Sequence, residues 1–293
     1  MSIKLNITRG VFQRPQKVVI YGPEGIGKTS LASKFPDPLF IDTEGGSAHL
    51  DVARIECRQS WQELIETVKA VAEQDVCKTL IIDTADWAEQ LAVEHLCKKY
   101  NQPSIESFGY GKGYTYLSEE FSNLLSELEN VIKSGKNVVV TAHAKMRKQE
   151  LPDGDAAFDR WELKLSRSVA PLVKEWADMV LFLNYKTDIQ YTENNVAKAK
   201  NGKRVMYTTH HSCWDAKNRQ GLADMLDLDY KNISFIFEHH SLRELMARDN
   251  VTEEQIRELL KKSDSYNPDL PLESYTSKLV PKWEMILSKL STF

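Results

Sequence analysis

The sequence predicts an α/β fold, a mostly parallel twisted sheet with flanking helices, and three observations carry that expectation. Strand-like runs alternate with helical patterns along the chain. Several of the strand runs are continuously apolar, the pattern of strands covered on both faces. A glycine-rich loop follows the first run and opens a helix. The chain has 293 residues, of which 42% are hydrophobic. That length suits one core of about 230 residues with a small appendage. We expect a core over residues 1–240 and a small helical C-terminal domain over 241–293.

In chain order, the strand-like runs are Val18–Tyr21, Pro38–Asp42 (PLFID), Thr79–Asp83 (TLIID), Asn137–Thr141 (NVVVT), Met179–Asn184 (MVLFLN) and Arg204–Thr209. They are rich in β-branched and aromatic residues and short enough for buried strands. Helical patterns lie between them at Ser30–Phe35, Ser60–Glu73, Asp86–Tyr100, Leu117–Lys133 and Ser168–Ala177. Ser60-Trp61-Gln62-Glu63 offers a capping box at the second of these. Asn201-Gly202, ringed by Lys198, Lys200, Lys203 and Arg204, reads as a solvated hairpin turn. From about Ser241 the chain becomes helical and charged, at Leu242–Arg248, Thr252–Lys262 and Pro281–Leu290. There Leu245, Ile256, Leu259 and Leu260 can form a small core with Trp283, Ile286 and Leu287. A unit of about 50 residues is marginal alone, so it is expected to dock on the core or on a partner.

The net charge of −4 and a pI near 6.0 give no global nucleic-acid signal, so any such binding must be local. Cys57, Cys77, Cys97 and Cys213 never form C-x-x-C, which argues against zinc and disulfides and for a reducing cytosol. The N-terminus has no apolar signal core and no run approaches the ~18 apolar residues of a membrane span, so the expected location is cytoplasmic.

The chemistry concentrates at Gly22–Thr29, GPEGIGKT. Gly22, Gly25 and Gly27, with Pro23, Glu24 and Ile26 between them, let the backbone turn its N–H groups onto phosphate, and the helix entered at Lys28 points its positive end there too. Lys28 is placed to reach the β- and γ-phosphates, with Ser30 next to the Thr29 hydroxyl that would ligate Mg²⁺. Residues just beyond the other strands line the same edge. Asp83 closes TLIID and can hold Mg²⁺ through water, as a Walker B acid does. Glu44, past PLFID, can activate a water as general base. His143, past NVVVT, can sense the γ-phosphate or pass a signal to the segment after it.

Lys217-Asn218-Arg219 within CWDAKNRQG resembles the KNR-type element of RecA and RadA recombinases, and FIDTEGG at Phe40–Gly46 looks like the segment ending in their catalytic glutamate. With the loop at Gly22 and the acid at Asp83, these matches run in the right order over residues 15 to about 225. FGYGKGY at Phe108–Tyr114 and the order phosphate loop, TAH, then AKNR resemble the phage-encoded RecA-like ATPases, the group that includes single-strand annealing proteins. Gln220 stands where the RadA pattern has an aromatic. The resemblance implies ATP and Mg²⁺ as cofactors, Glu44 and Lys28 as catalytic residues, and a ring or filament in which Lys217 and Arg219 reach the nucleotide of the next subunit. An arginine supplied to a site of this kind is worth about 10³–10⁵ in turnover.

Two segments between the elements are expected to be loops that touch single-stranded DNA. Gln102–Tyr116 carries Tyr110, Lys112 and Tyr114 among glycines, a composition suited to stacking on unpaired bases. Lys145–Arg167 carries Arg147, Lys148, Lys164 and Arg167, which can follow a phosphate backbone, although its acids bring the net charge near zero. The C-terminal helices are open to a single-strand binding or replication protein. Two rival classes use the same loop: a small-molecule kinase, which would want an arginine-rich lid, and a nucleotide-gated binding or loader protein, which would dispense with Glu44. A GTPase would want N-K-x-D, and Asn184-Tyr185-Lys186-Thr187-Asp188 has a residue too many.

Overall fold

The structure, a computed structural model, describes residues 14–57, 59–150, 157–191, 197–237, 242–261, 266–268, 270–275, 279 and 283–290. One compact unit spans Pro15–Phe237, and the residues from Glu238 belong to a second. In the first, the strands are β1 (Lys17–Gly22), β2 (Pro38–Asp42), β3 (Ala53–Glu56), β4 (Thr79–Asp83), β5 (Asn137–Glu150), β6 (Ala157–Leu163), β7 (Met179–Tyr191), β8 (Ala197–Tyr207) and β9 (Met225–Asp227). The helices are α1 (Lys28–Ala32), α2 (Trp61–Glu73), α3 (Ala85–Lys99), α4 (Lys112–Lys133) and α5 (Ala170–Trp176).

Among the described residues these strands make one sheet in the order β3-β2-β4-β5-β1-β7-β8-β9, with β6 paired to β5 alone. From β3 to β7 every pairing is parallel. β7–β8, β8–β9 and β5–β6 are antiparallel. The continuously apolar runs are the central strands, and their side chains feed a core on each face. On one face Val19, Tyr21, Ile41, Ile82 and Val140 meet α2, α3 and α4 through Leu64, Leu96 and Leu124. On the other, Val18, Ile20, Phe40 and Leu181 meet Leu31 of α1 and Phe237. Burial on both faces accounts for the unbroken hydrophobicity of these runs.

Ser60 caps α2 by accepting from the Glu63 N–H. α1 is shorter than the pattern Ser30–Phe35, closing at Ala32. Three expectations are corrected. The segment 102–116 is not an open loop: a 3₁₀ turn at Ile105–Phe108 leads into α4, which begins at Lys112. Phe108 and Tyr116 are consumed by packing with Tyr100, at ring distances of 5.2–5.8 Å. The segment 145–167 is largely the antiparallel hairpin of β5 and β6, with 151–156 outside the described residues. Asn201-Gly202 is no hairpin turn but lies inside β8, beside a register shift against Lys186 and Asp188 of β7.

Gly113 fits α4 against the 3₁₀ turn because a Cβ there would stand 2.2 Å from the Ile105 carbonyl oxygen. Gly113→Ala gains up to about 1 kcal/mol of helix propensity and loses more to overpacking, about 1–3 kcal/mol. The net expectation is a thermal midpoint lowered by a few degrees, read by circular dichroism.

In the second unit, α6 (Leu242–Arg248), α7 (Glu253–Leu260) and α8 (Trp283–Leu290) gather around Leu242, Leu245, Ile256, Tyr275, Trp283 and Ile286. Thr252 and Gln255 form a complete capping box at the start of α7. Cys57 and Cys77 are buried, Cys97 and Cys213 half-buried, and all are free thiols. Among the described residues no helix is long and apolar enough to cross a membrane.

Candidate functional site

The carboxyl ends of β1, β2, β4 and β5 converge on one edge of the sheet, and most of the polar residues singled out above meet there. β1 ends at Gly22, and the chain turns through Gly25 (φ 71°) and Gly27 (φ 110°) before α1. Side chains other than glycine rarely adopt such angles, so the loop's curvature is written into its sequence. Lys28 is 6% exposed, and its Nζ donates to the carbonyls of Gly22 and Pro23 at 3.2 and 3.1 Å. Burial lowers its pKa, while the carboxylates of Asp86, Asp83, Glu44 and Glu24 pull it back up. The ammonium is thus folded onto its own loop in a site rich in negative charge. Ser30 is exposed in the first turn of α1.

Asp83 ends β4, 1% exposed. Thr29 Oγ1 donates to its Oδ2 at 3.0 Å, and Thr141 of β5 donates to Oδ1. Burial pushes this carboxyl up, against the two hydroxyl bonds. Among the described residues no group of three or more His, Cys, Asp and Glu is arranged to hold a metal by itself. A hydroxyl and a carboxylate in contact do match the usual Mg²⁺ arrangement, in which one or two protein ligands suffice and phosphate and water complete the shell.

Glu44 sits on a turn that Asp42 builds. Asp42, the last residue of β2, accepts from the N–H groups of Glu44 at 3.1 Å, Gly45 at 2.5 Å and Ser47 at 3.0 Å, and from the Ser47 hydroxyl. Burial would raise its pKa, but the four hydrogen bonds win and hold it below the usual carboxylate range. Thr43 ties this turn to β4, donating to the Thr84 carbonyl and accepting from the Thr84 N–H, both at 2.9 Å. The Glu44 carboxyl is pushed up by burial; His143 opposes the shift and Asp86 and Asp83 add to it. His143 Nε2 stands 3.9 Å from Glu44 Oε1.

His143 is held from behind by Asp86. The carboxylate lies 2.8 Å from Nδ1 and accepts the His143 backbone N–H at 3.0 Å. Burial would raise the Asp86 pKa, and the bonds from His143 lower it instead. An ionised carboxylate can only accept, so Nδ1 carries the proton and Nε2 faces Glu44. Glu89, one turn along α3, takes the Ser166 N–H on both carboxyl oxygens at 3.0 and 3.1 Å and so fixes the chain after β6. Asp42, Asp86, Glu89, Thr43 and Thr141 were not singled out from the sequence. Only Asp42 left a readable trace, an Asp directly before a Thr-Glu-Gly-Gly turn whose N–H groups need an acceptor.

Lys217 and Arg219 are not brought to this edge. Lys217 bridges Val180 near the start of β7, and its Nζ donates to the carbonyls of Lys174, Glu175 and Ala177, capping the end of α5. Arg219 Nη1 pairs at 3.0 Å with Asp178, which precedes β7, and the arginine side chain is 59% exposed. Both stand toward the amino ends of strands whose carboxyl ends carry the phosphate loop. Gln220 bonds Gln16 at 2.9 Å. A cation does reach the loop from a place the sequence did not mark: Arg204 of β8 donates to the Ile26 carbonyl at 3.4 Å.

The residues expected to touch DNA fall in two places. Arg147, Lys148 and Arg167 line a groove of about 420 Å³ with Glu150, Glu162 and Lys174. Arg147 pairs with Glu162 at 3.5 Å. Lys164 is exposed, outside that lining. Tyr110 is fully exposed at φ 47°, Lys112 is exposed at the start of α4, and the Tyr114 hydroxyl donates to Glu106 at 2.8 Å.

The chain is 24% identical over 176 residues to the SPbeta prophage-derived uncharacterized protein YorG of Bacillus subtilis (strain 168). That alignment covers 57% of this chain and 50% of the relative, so the chain spans about half the length of the curated protein it matches. Among solved structures it is similar to the KaiC-like protein PH0186 of the hyperthermophilic archaeon Pyrococcus horikoshii OT3, with 15% identity, a TM-score of 0.37, and coverage of 66% of this chain and 79% of that one. A model of the AAA domain family matches residues 14–220. That stretch contains the glycine loop, Glu44, Asp83 and His143 on one sheet edge, and the chain belongs to the AAA domain family of P-loop ATPases.

Proposed function

We propose that this protein is an ATP-hydrolysing, oligomeric RecA-like protein that acts on single-stranded DNA in phage-type recombination, annealing or replication. The observation that carries the hydrolytic part is the Asp42-built turn, which holds Glu44 3.9 Å from a His143 oriented by Asp86, beside the Lys28–Thr29–Asp83 cluster. A module that only binds nucleotide has no use for a fixed carboxylate at that position. ATP lies along the loop Gly22–Ser30, with Lys28 leaving its two carbonyls for the phosphates. Thr29 and Asp83 would hold Mg²⁺, which supplies charge neutralisation to the β- and γ-phosphates. Glu44 orients the attacking water and takes its proton.

The groove with Arg147, Lys148 and Arg167 supports contact with a phosphate backbone, and exposed Tyr110 supports stacking on a base. For a ring or filament, Arg219 is the better placed of the two cations, because its own side chain is exposed and gives up one ion pair, to the buried Asp178, to reach a neighbouring nucleotide, while Lys217 must release three carbonyls. The prophage origin of the relative fits a phage-type setting, in which the protein would work in the host cytoplasm. The helices beyond residue 241 are left for a replication or single-strand binding partner.

ATPase turnover with and without single-stranded DNA, with particle mass measured alongside, tests this reading. The expected result is turnover stimulated several-fold by DNA in a particle larger than one chain. Each phosphate contact contributes about 0.7 to the salt slope of single-strand binding, so Arg147→Ala with Lys148→Ala should flatten that slope by about 1.4. Turnover indifferent to DNA in a monomer, with an unchanged slope, would sink the DNA role and leave the nucleotide-gated loader.

A further inference from the structure

Arg204 enters the nucleotide site from the antiparallel side of the sheet. Its Nη1 donates to the Ile26 carbonyl at 3.4 Å and lies 3.3 Å from where a Cβ on Gly27 would stand. Its backbone is fixed on both sides, paired with Tyr185 of β7 and accepting from the Leu228 N–H at 3.2 Å. Among the described residues no carboxylate lies within ion-pair distance of its guanidinium. Lys203 beside it is paired with Asp227, and Arg147, Arg160 and Arg219 each have an acidic partner.

A guanidinium with no acidic partner among the described residues, set against a phosphate loop, has an electrostatic reason to be there. Asp86, Asp83, Glu44 and Glu24 all act on buried Lys28, so carboxyl groups outnumber the one ammonium of the loop before a triphosphate enters it. One carbonyl uses one of the five N–H donors of an arginine, and the planar fork left over matches phosphate oxygens. The side chain has rotatable bonds enough to pass from the Ile26 carbonyl to a phosphate while its Cα stays in the sheet.

We propose that Arg204 is the nucleotide site's own arginine, a phosphate-contacting side chain supplied by the same chain through the β7–β8 arm. The proposal rests on the reading of Gly22–Ser30 as an ATP site. It gives that site a cation that needs no neighbouring subunit, unlike Arg219.

Titration of the full chain with the fluorescent analogues mant-ATP and mant-ADP in Mg²⁺ tests it, comparing wild type with Lys28→Ala, Lys203→Ala, Arg204→Gln and Arg204→Lys. Glutamine removes the charge and is two bonds too short to keep the Ile26 carbonyl, so thermal melts of each variant show whether the fold survives, and lysine, one bond longer than glutamine, keeps a cation there. Arg204→Gln should weaken mant-ATP on the order of tenfold and mant-ADP by less, Arg204→Lys should recover part of the loss, and Lys203→Ala should match wild type. Wild-type affinity in Arg204→Gln, or equal loss for the two nucleotides, overturns the phosphate contact and makes Arg204 a buttress of the loop. If wild type itself binds neither nucleotide, the ATP reading fails and takes the proposal with it. Binding that Lys28→Ala abolishes and Arg204→Gln leaves intact sinks the arginine's role alone.

Discussion

Lys28→Ala is expected to abolish ATP binding, with an affinity loss of a hundredfold or more by equilibrium titration. Removing one member of a buried, hydrogen-bonded charge pair costs about 2–5 kcal/mol, and every tenfold is about 1.4 kcal/mol. Lys28 is 6% exposed, its ammonium bonds two carbonyls, and four carboxylates act on it through space. Its bonds to the Gly22 and Pro23 carbonyls also hold the loop closed on itself. Alanine therefore removes the ligand's main cation and a clamp on the loop together, while Asp83, already pushed up by burial, loses a compensating charge. Undiminished mant-ATP affinity in this variant would remove the loop from the nucleotide-binding role.

Glu44→Gln should leave nucleotide affinity within a few-fold of wild type and lower turnover by about 10²–10⁴, the range of a general base. The sign of the pH dependence follows from the environment. Burial, with Asp86 and Asp83 nearby, raises the Glu44 pKa above that of an ordinary glutamate, with His143 opposing. A base works only when deprotonated, so wild-type turnover should rise with pH through that elevated value and fall off on the acid side. The glutamine variant has nothing to titrate there, so its residual rate should lose this acid limb. Equal turnover in the two proteins, or an acid limb that persists in Glu44→Gln, would assign the limb and the base to another group.

The parallel core was legible because its strands are buried on both faces, which forces unbroken apolar runs such as Val18-Val19-Ile20 and Leu80-Ile81-Ile82. The same physics hid the β5–β6 hairpin. Beyond Ala144 β5 carries Lys145, Arg147 and Lys148 and β6 carries Asp159 and Glu162, and charged half-exposed strands read like loops. Residues 102–116 misled through their glycines, whose roles are a left-handed entry to α4 at Gly111 and a close approach at Gly113.

At the site, Lys28, Thr29 and Asp83 were found because loop spacing and strand ends mark them. Asp86 and Glu89 were not, since nothing in a helical pattern tells a buried carboxylate from a solvated one. Arg204 was lost among lysines around an Asn-Gly pair that forms no turn. Burial and pairing across distant strands decide such residues, and neither is written locally.

β5 does two jobs with one piece of backbone. Its first half pairs with β1 and β4 in the buried sheet, and its second half runs on without interruption to pair with β6. His143 and Arg147 are four residues apart on the same side of that strand, about 13 Å at 3.3 Å per residue. An extended ladder of this kind is a stiff rod with no knuckle between its ends. A tilt imposed on β5 at His143 would therefore be carried along unbroken backbone to Arg147 and the groove it lines.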